Sequence, residues 1–295
     1  VIEYDRSSWW RTCFAFRGTA LPHVLGRVGL LTAFCLVLCL INDYVLQRYD
    51  EQLLQLNELG HSVLGVALGM FVVFRTNTSY NRFWEARSHW GMIVNTSRNL
   101  VRAGAVYAPP AGDLARLVHA YVLALKEHLR GRRDLAELRT LVPGRLLDQL
   151  AVAGNPPTLL AKAMSDWLHG RQAQGRLDQM QAARMEGLVA TLTDAQGGCE
   201  KILRTPLPFV YAALIKQVLL LYLATLPWVL VSKLGFAAPL AVAGISLGFL
   251  GIEEAGVEIE DPFGTGPNHI PLDAICDTIG RDTAALAADA DGKLP

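Results

Sequence analysis

The stretch Leu59-Gly-His-Ser-Val-Leu-Gly-Val-Ala-Leu-Gly-Met-Phe-Val-Val-Phe74 carries no acidic or basic charge. It runs directly into Arg75-Thr-Asn-Thr-Ser-Tyr-Asn-Arg-Phe-Trp-Glu-Ala-Arg-Ser-His-Trp90. The first half has the composition of a helix that can lie in lipid. The second interleaves Tyr80, Phe83, Trp84 and Trp90 with Arg75, Arg82 and Arg87. Amphipathic rings settle at headgroup depth and cationic residues mark the cytoplasmic side, so this pattern suits a helix leaving a bilayer. Arg75, Arg82, Phe83, Trp84, Glu85 and Arg87 are therefore a candidate membrane-interface motif. In the uncharged half, Val66, Met70 and Phe74 stand at i, i+4 and i+8, on one helix face. By spacing alone that face reads as packing against a neighbouring span.

The rest of the chain supports a membrane reading. Of 295 residues, 52% are hydrophobic and 18% charged, which is apolar for a chain of this size and requires lipid or subunit contacts to cover the excess. The 27 basic and 27 acidic residues cancel, so there is no bulk attraction to nucleic acid. Cys13, Cys35, Cys39, Cys199 and Cys276 show no paired metal spacing and read as reduced core residues. The first residues lack a charged segment followed by a short apolar core, so no secretory signal is expected.

A bilayer core of about 30 Å takes about 20 apolar residues per helix. Four runs approach that length, 28–46, 59–74, 205–232 with Lys216 inside it, and 235–252. Gly65-x-x-x-Gly69 and Gly244-x-x-x-Gly248 would let helix backbones approach closely. Arg6, Arg11, Arg17 and Arg27 precede the first run and Arg75, Arg82 and Arg87 follow the second. This asymmetry puts both flanks, and with four spans both termini, in the cytoplasm. The expected organisation is a cytosolic segment over 1–27, spans one and two over 28–75, and a helical cytosolic region over 76–204. Spans three and four follow over 205–252, and a cytosolic segment over 253–295. Pro109-Pro110, Pro143-Gly144 and Asn155-Pro156-Pro157 read as helix boundaries in the cytosolic region. Leu177, Met180, Leu188, Leu192 and Ile202 read as one amphipathic face, and the end after Asp282 as frayed or as a surface helix.

Catalytic signatures are missing. There is no phosphate-binding glycine loop, no Gly-x-Ser-x-Gly elbow and no His-Glu-x-x-His, so no enzyme, cofactor or metal centre is expected. Glu85 and His89 lie one turn apart without a third ligand and read as a salt bridge. His119 and His128 read as solvated or intersubunit residues. Glu253, Glu254, Glu258, Glu260 and Asp261 offer several oxygens, the donor type of a hard cation, but read better as an exposed, charged helix end.

The order of an uncharged helix, Arg75-x-Asn77, then Tyr80-x-Arg82-Phe-Trp-Glu-Ala-Arg87, resembles the bestrophin family and its bacterial relatives. So do Phe16-Arg17-Gly18-Thr19, Pro206-Leu-Pro-Phe-Val-Tyr211 and Glu258-Ile-Glu-Asp-Pro-Phe-Gly264. These motifs recur in family order from near residue 10 to near residue 280. The resemblance implies an all-α, polytopic membrane protein that assembles as a homopentameric channel for monovalent ions. It places Val66, Met70 and Phe74 on the hydrophobic pore neck and Met180 at a cytosolic constriction. Animal members conduct anions, and a bacterial member resembling this chain favours monovalent cations. Asp50, Glu51 and Glu58 near the outer mouth would concentrate cations, so cation selectivity is expected. Thr265-Gly-Pro-Asn-His269 stands where animal members carry the acidic run of a calcium clasp; calcium gating is therefore not expected. The expected location is the bacterial inner membrane, with the lipid bilayer and further copies of the chain as partners. The rival reading is a membrane-anchored scaffold that conducts nothing.

Overall fold

Every regular element among the described residues of the computed structural model, 9–49 and 57–290, is a helix. The α-helices are α1 (Trp9–Cys13), α2 (Leu21–Tyr49), α3 (Glu58–Tyr107), α4 (Gly112–Leu129), α5 (Gly144–Val152), α6 (Pro156–Ala173), α7 (Gln179–Arg204), α8 (Phe209–Leu234), α9 (Ala238–Glu260) and α10 (Leu272–Ala290), with 3-10 turns at Ala136–Thr140 and Gly235–Ala237. The chain forms two compact units. One is built from residues up to Phe83 and from Pro206–Asp261, the other from Trp84–Thr205 and from Pro262 onward.

In the first unit α2, the first half of α3, α8 and α9 bury a hydrophobic core. Val24, Val28, Cys35 and Leu38 of α2 meet Leu68 and Val72 of α3, Leu219, Leu223 and Leu226 of α8, and Val242 and Leu250 of α9. Among the described residues three stretches are long and apolar enough to cross a membrane, Leu21–Leu46, Glu58–Tyr107 and Phe209–Glu260. The last is α8 and α9 joined by a 3-10 turn at Gly235–Ala237. Gly235 takes φ 50° there, a left-handed conformation that costs a residue without Cβ little. Polar ties register the two ends of this unit. At one end Lys233 of α8 meets Glu58 of α3 at 2.5 Å, and the Cys39 thiol of α2 donates to the Gly235 carbonyl. At the other, Arg27 of α2 meets Glu254 of α9 at 2.6 Å and Arg75 of α3 meets Glu253 of α9 at 2.5 Å. Along α3 these ends are about 26 Å apart at 1.5 Å per residue, close to the thickness of a hydrocarbon core.

The spans differ from their expected limits. The run 28–46 lies within the longer α2, because apolar residues continue back to Leu21. The run 59–74 has no inner end, since α3 is 50 residues long and continues to Tyr107. At its start the Asn57 side chain caps it, accepting from the Leu59 and Gly60 amides. Pro206 and Pro208 delay α8 to Phe209. α9 passes Ile252 and runs through the acidic residues to Glu260. Of the four glycines expected at helix crossings, only Gly65 is closely backed, by the Tyr222 hydroxyl of α8. Gly69, Gly244 and Gly248 face open space within the chain.

The second unit combines the later part of α3 with α4, α5, α6, α7 and α10. Asn155 caps α6, and Asp178 and Gln181 form a reciprocal box at the start of α7. Its buried polar centre is Gln196, which donates to Asn155, Thr158 and Glu200 and accepts from the Tyr121 hydroxyl. His128 lies 3.3 Å from Glu200, so it is a packed partner and not a solvated residue. His119 packs against Gly280 of α10, where a Cβ would fall 2.5 Å from its ring. Of the two readings of the end after Asp282, frayed or a surface helix, the described residues up to Ala290 take the helical one. α10 packs on α4 and buries Thr283 and Ala287, because small side chains at those positions let the two helices close.

A Cβ on Gly198 of α7 would lie 2.3 Å from the His89 ring of α3. Gly198→Ala should lower stability by about 1–3 kcal/mol through overpacking, read as a fall in melting temperature. Burial raises the Glu200 carboxyl pKa, but hydrogen bonds from Gln196 and Asn155 and the charges of His128 and Arg204 outweigh it and hold the group below its ordinary value. A depressed folded pKa means that the unfolded chain binds more protons, so this contribution is present above about pH 4.3 and is lost as pH falls through the folded value. The parent should therefore lose melting temperature more steeply than Glu200→Gln between pH 6 and pH 3 or so.

Candidate functional site

The first half of α3 has two opposite faces. Leu68, Val72, Arg75 and Ser79, spaced by three and four, are buried. Val66, Met70 and Phe74 are 69%, 56% and 54% exposed, and Leu59 and Val63 extend their face toward the start of the helix. At 100° per residue, Val66 lies about 180° from Arg75. An exposed apolar face at this depth must be covered by lipid, by other subunits, or by the confined water of a narrow pore.

The interface motif divides. Arg75 does not reach outward. It is 3% exposed and joins Glu253, itself 2% exposed, while its other nitrogen lies 3.4 Å from Glu260. Of the acidic residues expected at an exposed helix end, Asp261 is exposed and Glu254, Glu258 and Glu260 are half-buried, but Glu253 is buried. A buried guanidinium needs a carboxylate, and Glu253 supplies it. Arg82 donates to the Glu260 carbonyl at 3.4 Å. Phe83 is half-buried and Trp84 exposed. In the second unit Glu85 accepts from Lys201 at 2.7 Å, with His89 at 3.8 Å. That hydrogen bond and charge hold the Glu85 carboxyl below its ordinary value. Arg87 is exposed on α3. Among the described residues no group of three His, Cys, Asp or Glu could hold a metal.

Asp50 and Glu51 lie outside the described residues. Glu58 is within them, and its charge is met by Lys233. Met180 is 81% exposed in the first turn of α7. It does not belong to that helix's packed face, which is made by Met185, Val189, Leu192, Cys199 and Ile202 after the buried Leu177. The five cysteines are free; four are buried and Cys13 is exposed. The pairing of Arg75 with Glu253 was missed by sequence reasoning. Its signal was available: two opposite charges each abutting an apolar run, where an ionisable group requires a partner.

Comparison with known proteins agrees with this architecture. A model of the bacterial and fungal bestrophins matches residues 1–285. A voltage-dependent anion channel-forming protein of Nostoc sp. is 36% identical over 291 residues, covering 96% of this chain and 93% of the relative. The YneE protein of Salmonella typhi, with the same description, is 30% identical and covers 99% and 95%. The crystal structure of a bacterial bestrophin homologue from Klebsiella pneumoniae superposes with a TM-score of 0.83 at 28% identity, over 92% of this chain and all of that one. All-helical, with long apolar helices and a match along nearly its whole length, this chain belongs to the bestrophin family of bacteria and fungi.

Proposed function

We propose that five copies of this chain assemble around an axis into a channel for monovalent ions, with Val66, Met70 and Phe74 of α3 as its neck. The observation that carries this reading is the apolar face left exposed opposite a buried, ionically anchored one. Five such faces give three stacked apolar rings. They offer no ligand to replace hydration water, so the neck gates by dewetting and leaves the choice of ion to charges elsewhere. The helices α2, α8 and α9 and the first half of α3 cross the bacterial inner membrane. Both termini are cytoplasmic, in keeping with the arginines flanking α2 and following Phe74. The second unit forms a cytosolic vestibule, with exposed Met180 as its narrowing. Calcium is not required, since Thr265-Gly-Pro-Asn-His269 provides no run of carboxylates.

For the sign of the ion we adopt the anion reading. The curated relatives are described as anion channel-forming, and the exposed charged residues along α3 beyond the neck, Arg87 and Arg102, are basic. A field of that sign concentrates anions. The expected cation preference rested on the likeness to a cation-favouring bacterial member and on Asp50, Glu51 and Glu58, and the one described member of that set is paired with Lys233. It remains the second reading if Asp50 and Glu51 ring the outer mouth.

The test is a Met70→Cys channel in a Cys13→Ser background, treated with a water-soluble thiosulfonate during recording. Current should fall at least tenfold, while Leu68→Cys on the buried face is untouched. Unchanged current through a Met70→Cys protein that mass spectrometry shows to be fully modified would remove this face from the pore. Absence of any current from the intact oligomer would favour the scaffold.

A further inference from the structure

Just past the neck, α3 is tied ionically to α9. Arg75 follows Phe74 directly, is 3% exposed, and reaches Glu253 at 2.5 Å and Glu260 at 3.4 Å. Seven residues on, Arg82 donates to the Glu260 carbonyl. Both helices thus contribute positions two turns apart, 75 and 82 on α3 and 253 and 260 on α9, and so are tied at two levels. Between them Gly256 backs onto Thr76, where a Cβ would lie 3.5 Å from the Thr76 hydroxyl. Glu254, next to Glu253, takes Arg27 of α2. Three helices therefore meet through adjacent carboxylates of α9.

We infer that the Arg75–Glu253 pair is the positioning device of the neck, fixing the rotation of α3 so that Val66, Met70 and Phe74 face the axis. The inference rests on the pore reading above. Its physical basis is the fixed angle between residues of a helix. Once Arg75 is held against α9, Val66 points about 180° away and Met70 about 140° away. An apolar stripe cannot set this rotation alone, because exposed apolar residues also occur to either side of it, at Phe71 and Val73. A two-point ionic tie can. When Glu253 loses its charge, the guanidinium gains from turning toward the wet lumen in preference to lipid. That rotation carries Phe71 toward the axis and Val73 away from it.

The experiment measures modification rates of single cysteines at positions 68, 70, 71 and 73, in the Cys13→Ser background, with a charged thiosulfonate on oligomers in nanodiscs. In the parent, Met70→Cys should react at least tenfold faster than Leu68→Cys. With Glu253→Gln added, the ratio of the Phe71→Cys rate to the Val73→Cys rate should rise at least fivefold. The exchanged pair Arg75→Glu with Glu253→Arg should return it to within twofold of the parent. An unchanged ratio in Glu253→Gln, or one that stays raised in the assembled exchanged pair, overturns the positioning role. Equal rates at Met70→Cys and Leu68→Cys in the parent instead sink the pore reading beneath it. If Glu253→Gln does not assemble, Glu260→Gln removes the longer contact and should give a smaller rise, and no rise there counts against the inference.

Discussion

Phe74→Ala should raise the current through the assembled channel at least tenfold at a fixed voltage. Phe74 is the last uncharged residue before Arg75 and the largest member of the exposed stripe. In the proposed pentamer five phenyl rings at one level would make the tightest of the three apolar rings. The barrier they impose is the cost of holding water and a hydrated ion where no wall group replaces lost hydration. Truncation to Ala widens the ring without adding a polar group. A tenfold gain corresponds to about 1.4 kcal/mol of barrier. Met70→Ala should act in the same direction, and Val66→Ala less, because Val loses less volume. Phe74 is exposed within the chain, so its truncation opens no cavity in the core of the subunit and the oligomer should persist. Currents from both Phe74→Ala and Met70→Ala that match the parent, with the oligomer intact, would contradict the assignment of the neck.

Glu253→Leu should cost about 3–5 kcal/mol of stability, the penalty for leaving a buried charge without its partner. Arg75 and Glu253 are both almost fully buried, and solvent cannot replace the missing carboxylate. Glu260 is an incomplete substitute at 3.4 Å and is partly exposed. The double change Arg75→Met with Glu253→Leu should recover most of the loss, because replacing both members of a buried pair by apolar groups is often neutral. Thermal unfolding of the detergent-solubilised protein gives the comparison. A single variant as stable as the parent would show that the pair is wet in the assembled protein. The stability of the double variant and the rotation of its α3 are separate readouts, since an apolar pair can support the fold without fixing the neck.

Most of the architecture was legible because it depends on local composition. The uncharged run 59–74, the apolar runs that became α2, α8 and α9, and the boundaries at Pro143 and Asn155 can each be read from a short window. Contacts between distant windows were less accessible. The acidic end of α9 looked solvent-facing because nothing within that segment neutralises it; its partner lies 178 residues earlier, at Arg75. Glu58 looked like a free outer-mouth charge for the same reason, with Lys233 as its distant partner. The end after Asp282 was open between a frayed end and a surface helix because alanine carries little hydrophobic signal, yet small residues are what permit α10 to lie close to α4. On the candidate site, periodicity alone put Val66, Met70 and Phe74 on one face. Whether that face meets lipid, protein or water depends on copies of the chain that one sequence does not encode locally.

The measurement that bears most directly on the channel assignment is the reversal potential of purified protein in a planar bilayer under a KCl gradient. The predicted result is a current whose reversal shifts toward the chloride potential, with Val66→Ala carrying more current at the same reversal. A shift toward the potassium potential would keep the pore and restore the cation preference. No current from either protein, with the oligomer intact in the bilayer, would contradict the channel itself.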